Sequence, residues 1–285
     1  MNILMLFGVN WQMKKLKINE KNYTDEHKNY IKKLKLKSLQ VRLTQMGILF
    51  FSVILWETAA QLKWIDAFIF SSPSRVFRTA IALINSNNLW NDVFYTLCET
   101  MSGFILGTVL GIAFAILIWC SNFIFKVSEP YLVVFNALPK VALGPIIIVW
   151  MGSGITSIII MALLVSVVVS TINILSGFQN VEKDKIFLLK SFGANKFQIL
   201  WNLILPANIS TIMSTLKINV GMSLIGVITG EFLVSSKGIG YLIVYGGQVF
   251  KLDLVMAGIF VLLIIAAAIY LVVAKLENIY LKNKK

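Results

Sequence analysis

The chain contains few of the residues from which catalytic and metal-binding sites are built. It has two cysteines and one histidine among 285 residues, which excludes a cluster of His and Cys metal ligands and gives no basis for a Ser-His-Asp triad. Cys98 and Cys120 lie near opposite ends of one apolar run. On a helix they would be ~33 Å apart, too far for a disulfide. We therefore expect no catalytic residue, no metal site and no cofactor bound by this chain.

Charged residues are also scarce, and their distribution is uneven. They make up 14% of the chain and hydrophobic residues 58%, whereas soluble domains have about 25% charged and about 45–50% apolar residues. The net charge of +13 is concentrated in residues 1–42, in one later loop and in residues 275–285. Basic tails of a membrane protein explain this distribution better than a nucleic-acid-binding surface, so no nucleic acid partner is expected.

Six apolar runs are long enough to cross the ~30 Å hydrocarbon core of a bilayer. They cover approximately residues 43–62, 97–120, 129–151, 154–177, 211–234 and 254–274. Backbone groups in lipid must be hydrogen-bonded internally, so these runs are predicted to be helices. The sequence thus predicts an all-α, polytopic membrane bundle of about six transmembrane helices surrounded by lipid.

The distribution of lysine and arginine predicts the orientation of this bundle. With the six runs as spans, one side of the membrane carries 19 of these residues and the other side carries five. Cytoplasmic loops carry the excess of positive charge. Both termini and the loop between the fourth and fifth spans are therefore predicted to lie in the cytoplasm, with the chain in the cytoplasmic membrane.

The loop at 178–206 has the pattern of two helices joined by a glycine turn. Glu182 is expected in the first turn of one helix, where an acid suits the helix dipole. Gly193 is expected to end that helix in a left-handed conformation. Asn195 and Gln198 have the spacing of a capping box that begins a second helix, and Pro206 is expected to end it.

The second helix of this loop has an apolar face that needs a partner. Phe197, Leu200, Trp201 and Ile204 recur at helical spacing. Such a face is buried on the bilayer surface, against the protein's own bundle or in a groove of another protein. The residues alone leave these three alternatives open.

The same segment resembles the EAA loop of ABC importer permeases. That motif reads EAA, three residues, Gly, nine residues, Ile, one residue, Leu-Pro. Gly193, Leu205 and Pro206 match it in identity and spacing, Leu203 replaces the Ile, and residues 187–189 replace the EAA. The resemblance implies a coupling loop that docks on an ATPase, with the following residues at the contact: Glu182, Gly193, Ala194, Leu205 and Pro206.

Two further segments resemble permeases of the nitrate/sulfonate/taurine type. One comprises residues 138–145 with 150–152, and the other comprises 230–233 with 238–243. With the loop, they extend the resemblance over residues 92–274, which implies the ABC transmembrane type-1 domain and the type I importer fold. The first 42 residues lie outside it.

The resemblance implies a permease subunit that forms a solute path and is driven by other chains. The expected partners are two copies of an ABC ATPase, which bind ATP and Mg²⁺, an extracytoplasmic solute-binding protein and a second copy of the permease. The expected solute is a small anion such as nitrate, a sulfonate or taurine, with a vitamin precursor as the alternative. The chain has no phosphate-binding loop with its lysine, so ATP hydrolysis is assigned to the partner.

A stand-alone ion-coupled transporter is the rival interpretation. Such carriers commonly contain internal repeats with paired broken helices. This sequence has one strongly proline-interrupted span, at residues 129–151, and no second copy of it.

Ionisable residues inside the spans are candidates for the solute path, because they are costly in lipid and face the bundle or water. Lys140 beside Pro139 is expected to face the path or to accompany a helix kink. Lys217 is expected to serve an anion path or a structural pair. Glu231 is expected to make a structural hydrogen bond or a solute contact. Glu99 occupies a position where this subfamily often has a basic residue, which leaves cations and neutral solutes open.

The second span carries a stripe of small residues. Gly103, Gly107 and Gly111 recur every four residues, which allows close approach of another helix. The stripe is expected to pack within the chain or at a dimer seam.

Overall fold

The computed structural model describes residues 25–86 and 88–283. Within these residues the chain consists of helices and contains no strand, which confirms the predicted all-α class. Residues 1–24 and 284–285 of the two predicted basic tails lie outside the described residues. The chain divides into two units, residues up to Ser74 and residues from Arg75 onward.

The first unit contains a long apolar helix. Helix α1 spans Asp25–Gln61, and the short α2 spans Ala67–Phe70. The predicted first span, residues 43–62, lies in the last part of α1 except for residue 62. The part Lys32–Gln61 of this helix is long and apolar enough to cross a membrane. Near its end, Glu57 accepts hydrogen bonds from Ser74 N at 3.0 Å and Ser74 Oγ at 2.8 Å.

The remaining helices follow in chain order. They are α3 (Pro73–Asn85), α4 (Asn88–Cys120), α5 (Asn122–Ala137), a 3₁₀ turn (Lys140–Leu143), α6 (Gly144–Met151), α7 (Ile155–Gln179), α8 (Lys183–Ser191), α9 (Lys196–Ile199), α10 (Ile209–Val234), α11 (Ile239–Gln248) and α12 (Leu252–Asn283). Helices α4, α7, α10 and α12 each contain a candidate membrane span.

Helices α4 and α7 pack through small residues and run in the same direction. The facing pairs are Gly103–Ala162, Gly107–Ser166 and Gly111–Ser170. A Cβ atom added to these glycines would lie 2.6, 2.1 and 2.4 Å from the facing side chains, so glycine is required for this close approach. The glycine stripe therefore packs within the chain.

The parallel packing of α4 and α7 determines how the proline-interrupted segment between them crosses the bundle. Helix α5 and the segment Lys140–Met151 are bent by 87° at the break between them. Because α4 and α7 run the same way, the chain between them must return to the end of the bundle where α4 begins. The bent pair therefore crosses the bundle as one broken span. Counted in this way, the described residues hold six candidate spans.

Helices α10 and α12 complete this bundle. Gly226 and Gly230 of α10 lie against Ala162 and Ile158 of α7, so α10 runs antiparallel to α7. Lys217 near the start of α10 pairs with Glu277 near the end of α12. At the opposite end, Arg75 of α3 pairs at 2.8 Å with Asp253 in the first turn of α12.

Candidate functional site

The loop between α7 and α10 begins with a short helix and a glycine turn. Glu182 directly precedes α8 and pairs with Lys185 at 3.0 Å, so the acid lies one residue before the helical turn in which it was predicted. Gly193 has φ = +80°, which confirms the predicted left-handed residue. The next N–H, of Ala194, donates to Leu189 O at 3.0 Å. The turn thus satisfies carbonyls at the end of α8.

The second helix of the loop begins with the predicted capping box. Asn195 Oδ1 accepts from Gln198 N, and Gln198 Oε1 accepts from Asn195 N, both at 2.8 Å. The N–H groups of Asn195 and Gln198 are thus satisfied by side chains of the same turn, so this prediction is confirmed.

The predicted end of this helix at Pro206 is wrong. Helix α9 continues through a π-helical turn, Leu200–Ile204, and a helical turn, Leu205–Ala207, and Asn208 is the one turn residue before α10 begins. Leu205 N donates to Leu200 O, five residues back. Proline has no N–H and its ring crowds the carbonyl four residues before it. The π-turn widens the backbone at this point, so the helical path continues past Pro206.

The predicted apolar face of the second helix divides into two sides. Leu200 and Ile204 are 2% and 0% exposed and pack, with Ile199, in a core formed with α4 and α7. Phe197 and Trp201 are 65% and 57% exposed, and their rings meet edge to face at 6.1 Å. One side therefore fixes the loop to the bundle, and the other side is left uncovered.

Helix α8 adds more uncovered apolar side chains. Phe187, Leu188 and Phe192 are 72%, 54% and 77% exposed, while Ile186 and Leu189 pack against the core. We call the five exposed side chains the loop apolar patch: Phe187, Leu188, Phe192, Phe197 and Trp201. These residues lie outside the candidate membrane spans of the described residues.

A polar cavity of about 360 Å³ lies beside the loop. It is lined by the end of α7, the start of α8 and the start of α10, with Asn173, Asn180, Asn208 and Thr211 among its walls. The loop is therefore tied to the bundle by an apolar core on one side and bordered by a polar space on another.

A second polar site lies at the other end of the bundle, at the N-terminus of α11. The first four N–H groups of a helix have no partner within it. Here Gly238 N donates to Asp92 Oδ1, and Ile239 N donates to Thr96 Oγ1, both at 2.9 Å. Gly240 N and the backbone N–H of Tyr241 donate to the Glu231 carboxylate. Side chains from α4 and α10 thus cap all four groups.

Two glycines allow the Glu231 carboxylate to reach this helix end. A Cβ at Gly238 would lie 2.4 Å from Glu231 Oε1, and one at Gly240 would lie 2.6 Å from Oε2. Gly238 also has φ = +100°, a conformation that L side chains rarely adopt. We call this arrangement of Asp92, Thr96 and Glu231 around the start of α11 the distributed cap.

The structure does not bring the predicted path residues together. Glu231 is 1% exposed and belongs to the distributed cap, and Lys217 pairs with Glu277 at 2.8 Å. Lys140 lies at the break of the bent pair, beside the exposed Pro139, and donates to Asn136 O of its own segment at 3.1 Å. A role of these residues in a solute path stays a prediction.

The remaining predicted loop residues lie around the π-turn and the glycine turn. Ala194 and Leu205 pack partly against the core beneath the loop, and Pro206 is exposed. No group of three or more His, Cys, Asp or Glu residues within 25–86 and 88–283 is arranged to hold a metal ion.

Sequence reasoning missed Asp92, Thr96 and the buried pair of Thr108 with Asn219, whose hydrogen bond is 2.7 Å. One signal was available. Asp92, Thr96 and Glu99 follow the i, i+4, i+7 spacing of one helix face, and polar residues on one face of an otherwise apolar helix indicate a polar interior contact.

Residues 107–280 match the family model described as "Binding-protein-dependent transport system inner membrane component". A "Probable ABC transporter permease protein" of Haemophilus influenzae is 30% identical, over 76% of this chain and 88% of that protein. The taurine transport system permease protein TauC of Escherichia coli is 26% identical, over 80% and 85%. The formylaminopyrimidine transport permease protein ThiX of Halalkalibacterium halodurans is 28% identical, over 82% and 92%.

Two solved transporters share the fold. A chain of the inward-facing MetNI methionine ABC transporter superimposes with a TM-score of 0.60 at 16% identity, covering 67% of this chain and 94% of that one. A chain of a bacterial ABC transporter that imports alginate gives a TM-score of 0.61 at 16% identity, covering 88% and 98%.

Proposed function

The chain belongs to the family of binding-protein-dependent transport system inner membrane components, and we propose that its loop at 178–206 is where a separate ATPase drives it. It is a multi-pass transmembrane permease subunit of an ATP-binding-cassette importer. In this proposal the chain itself is non-catalytic and binds no cofactor, and ATP and Mg²⁺ are held by the ATPase.

The loop apolar patch is the observation that carries this proposal. Five large apolar side chains, each more than half exposed, lie on a loop outside the candidate spans. Exposed apolar patches of this kind mark contacts with a partner, and a short amphipathic helix fits a groove in another protein. The capping box and the buried side of the same loop hold the patch in a fixed geometry.

The contact between the loop and the bundle supports transmission of force. Ile199, Leu200 and Ile204 pack with residues of α4 and α7, and the helical path continues from the loop into α10. A displacement of the loop by an ATPase therefore acts on three helices of the bundle. We propose a rigid-body change between inward-open and outward-open states, biased by nucleotide on the partner.

Among the charged residues predicted for the solute path, Lys140 is the one whose contacts in the structure leave it able to bind a solute. Lys217 pairs with Glu277, and Glu231 accepts from Gly240 N at the start of α11, which favours the structural alternative for both residues. The Lys140 ammonium has three donors, and the bond that the structure gives it is to a carbonyl of its own segment. A cation at the break of a broken span fits a path for a small anion, such as nitrate, a sulfonate or taurine.

The assembly proposed contains two permease chains, two ATPases and an extracytoplasmic solute-binding protein, with both permease termini in the cytoplasm. The similarity to the taurine permease TauC supports the anion class. The similarity to the formylaminopyrimidine permease ThiX supports the alternative, a vitamin precursor.

Substitution of Phe192 tests the docking surface. The permease is co-expressed with the ATPase of its own transport system, and co-purification and solute-stimulated ATP hydrolysis are measured. Phe192→Asp places a charge in the patch, and we expect a loss of more than about tenfold in ATPase recovered. The matched control is Phe77→Asp, because Phe77 is 68% exposed on α3 at the opposite end of the bundle.

Undiminished ATPase recovery with Phe192→Asp would contradict the docking proposal. Full-rate solute movement by the reconstituted permease without any ATPase would contradict it more broadly and would favour the stand-alone transporter.

A further inference from the structure

Two carboxyl groups meet in the interior of the bundle. Glu99 of α4 is 3% exposed and Glu231 of α10 is 1% exposed, and their side chains hydrogen-bond each other. Two carboxylates are both acceptors, so a hydrogen bond between them requires that one holds a proton. Two buried like charges in contact would also be strongly unfavourable.

The other partners of each side chain decide where the proton lies. Glu231 Oε1 accepts from Thr96 Oγ1 at 2.6 Å, and its carboxylate accepts from Gly240 N and the backbone N–H of Tyr241. These three donors require lone pairs on Glu231, and the helix N-terminus stabilises a negative charge there. Glu231 therefore has the surroundings of an ionised carboxylate.

Glu99 has the surroundings of a neutral acid. Its Oε2 is buried and has no hydrogen-bond partner among the described residues. An ionised oxygen left without a donor would carry a large desolvation cost, and a neutral carbonyl oxygen carries a much smaller one.

Among the residues that the structure describes, the charged group that acts on Glu99 is Glu231, and no cation does so. On α4, Asp92 accepts from Gly238 N, and in the turn before α11, Lys237 Nζ donates to Tyr95 Oη at 3.0 Å. This hydrogen bond with Tyr95 raises the pKa of Lys237. Helix α7 carries no charged residue, and α11 contributes Tyr241 and Tyr245 as its titratable side chains.

We infer that Glu99 is a neutral carboxylic acid that donates its proton to the Glu231 carboxylate, and that it is a positioning residue for α11. The carboxylate is then held from one side by α11 and from the other by Glu99. Glu99 adds no charge to a solute path, so the cation alternative raised by its position in the sequence has no support from this side chain.

Substitutions of Glu99 and Glu231 test whether Glu99 donates a hydrogen bond and Glu231 accepts it. Glu99→Gln keeps a donor toward Glu231, so uptake by the full permease–ATPase complex is expected to stay within about twofold of the unmodified protein. Glu99→Ala removes the donor and is expected to lower uptake by several-fold, so that Gln rescues what Ala loses. Glu231→Gln places an NH₂ group against donors and is expected to lower uptake by more than about tenfold.

Infrared spectroscopy reads the proton directly and does not depend on transport. The purified complex at neutral pH is expected to show the carbonyl band of a protonated carboxylic acid, and Glu99→Gln is expected to lose that band while keeping its thermal unfolding temperature. Loss of uptake in Glu99→Gln to the level of Glu99→Ala would overturn the inference. An acid band that persists in Glu99→Gln, or is absent from the unmodified protein, would also overturn it.

Discussion

Two helix N-termini in this protein meet the same physical requirement in opposite ways. At the start of α9, the capping box joins Asn195 and Gln198, which are three residues apart. At the start of α11, the distributed cap uses side chains that are 9, 143 and 146 residues from the N–H groups they accept. The capping box forms from residues of a single helical turn, whereas the distributed cap forms only when α4, α10 and α11 are packed together.

The difference between the two caps bears on the proposed change between inward-open and outward-open states. A locally capped helix keeps its conformation when the helices around it rearrange, which suits the proposed role of the loop in passing force from an ATPase to the bundle. The distributed cap depends on both helices. If α11 separated from α4, Gly238 N and Ile239 N would lose their acceptors, and if it separated from α10, Gly240 N and the backbone N–H of Tyr241 would lose theirs. The loop at 178–206 is therefore suited to move as a unit, whereas the start of α11 responds to the packing of the bundle.

The largest effect is expected when the local geometry of the loop is broken. Gly193→Val puts a β-branched residue at φ = +80°, which costs about 1–3 kcal/mol. Uptake is expected to fall by at least about tenfold, with insertion into the membrane unchanged, as measured in vesicles. Gly193→Asn should retain more activity, since Asn tolerates this conformation. Equal uptake by the Val variant and the unmodified protein would show that the glycine turn is not needed to couple the ATPase to transport.

A smaller effect is expected from an intrusion into the distributed cap. Gly240→Ala places a Cβ 2.6 Å from Glu231 Oε2. Displacement of the carboxylate leaves buried donors unsatisfied, at about 1–3 kcal/mol, so the unfolding temperature should fall and uptake should drop by several-fold. Gly247→Ala is the matched control on the same helix, because nothing lies within 4 Å of its added Cβ. Identical unfolding curves for the two variants would remove the cap as a stabilising element.

The smallest effect is expected from the capping box. Asn195→Ala removes one acceptor from a solvent-exposed turn and costs about 1 kcal/mol. We expect uptake to fall by less than about threefold and Asn195→Ser to restore it. Amide hydrogen exchange at residues 196–199 measures the local opening directly. An effect as large as that of Gly240→Ala would mean that the loop is not independently formed, and the contrast between the two caps would fail.

The local features of the loop could be predicted from the sequence, and the long-range ones could not. Gly193 and the pair Asn195–Gln198 follow from interactions across three or four residues, which a single sequence contains. The prediction that Pro206 ends a helix is wrong because that rule assumes α-helical hydrogen bonds, and the π-turn before Pro206 changes the spacing of these bonds. The division of the loop into a buried and an exposed side depends on where α4 and α7 lie.

The same limit applies to the charges inside the spans. Their cost in lipid correctly indicates that they have interior partners, but it does not identify them. The sequence does not indicate that Glu277 is the partner of Lys217, or that Asp92 and Thr96 accept from the start of α11. Each of these contacts joins helices that are distant in sequence.

The seam between α4 and α7 also limits how the bundle can rearrange. Small residues recur every four positions on both helices, so a slide of one turn, about 5.4 Å, would set Gly107 opposite Ala162 or Ser170. The same slide would bring Ile158 against Gly103, or Ile174 against Gly111, and both isoleucines are already fully enclosed. A branched side chain has no room where two backbones are in contact. An isoleucine therefore blocks the slide of α7 along α4 in each direction. The two helices are therefore expected to keep their register along this seam through the transport cycle.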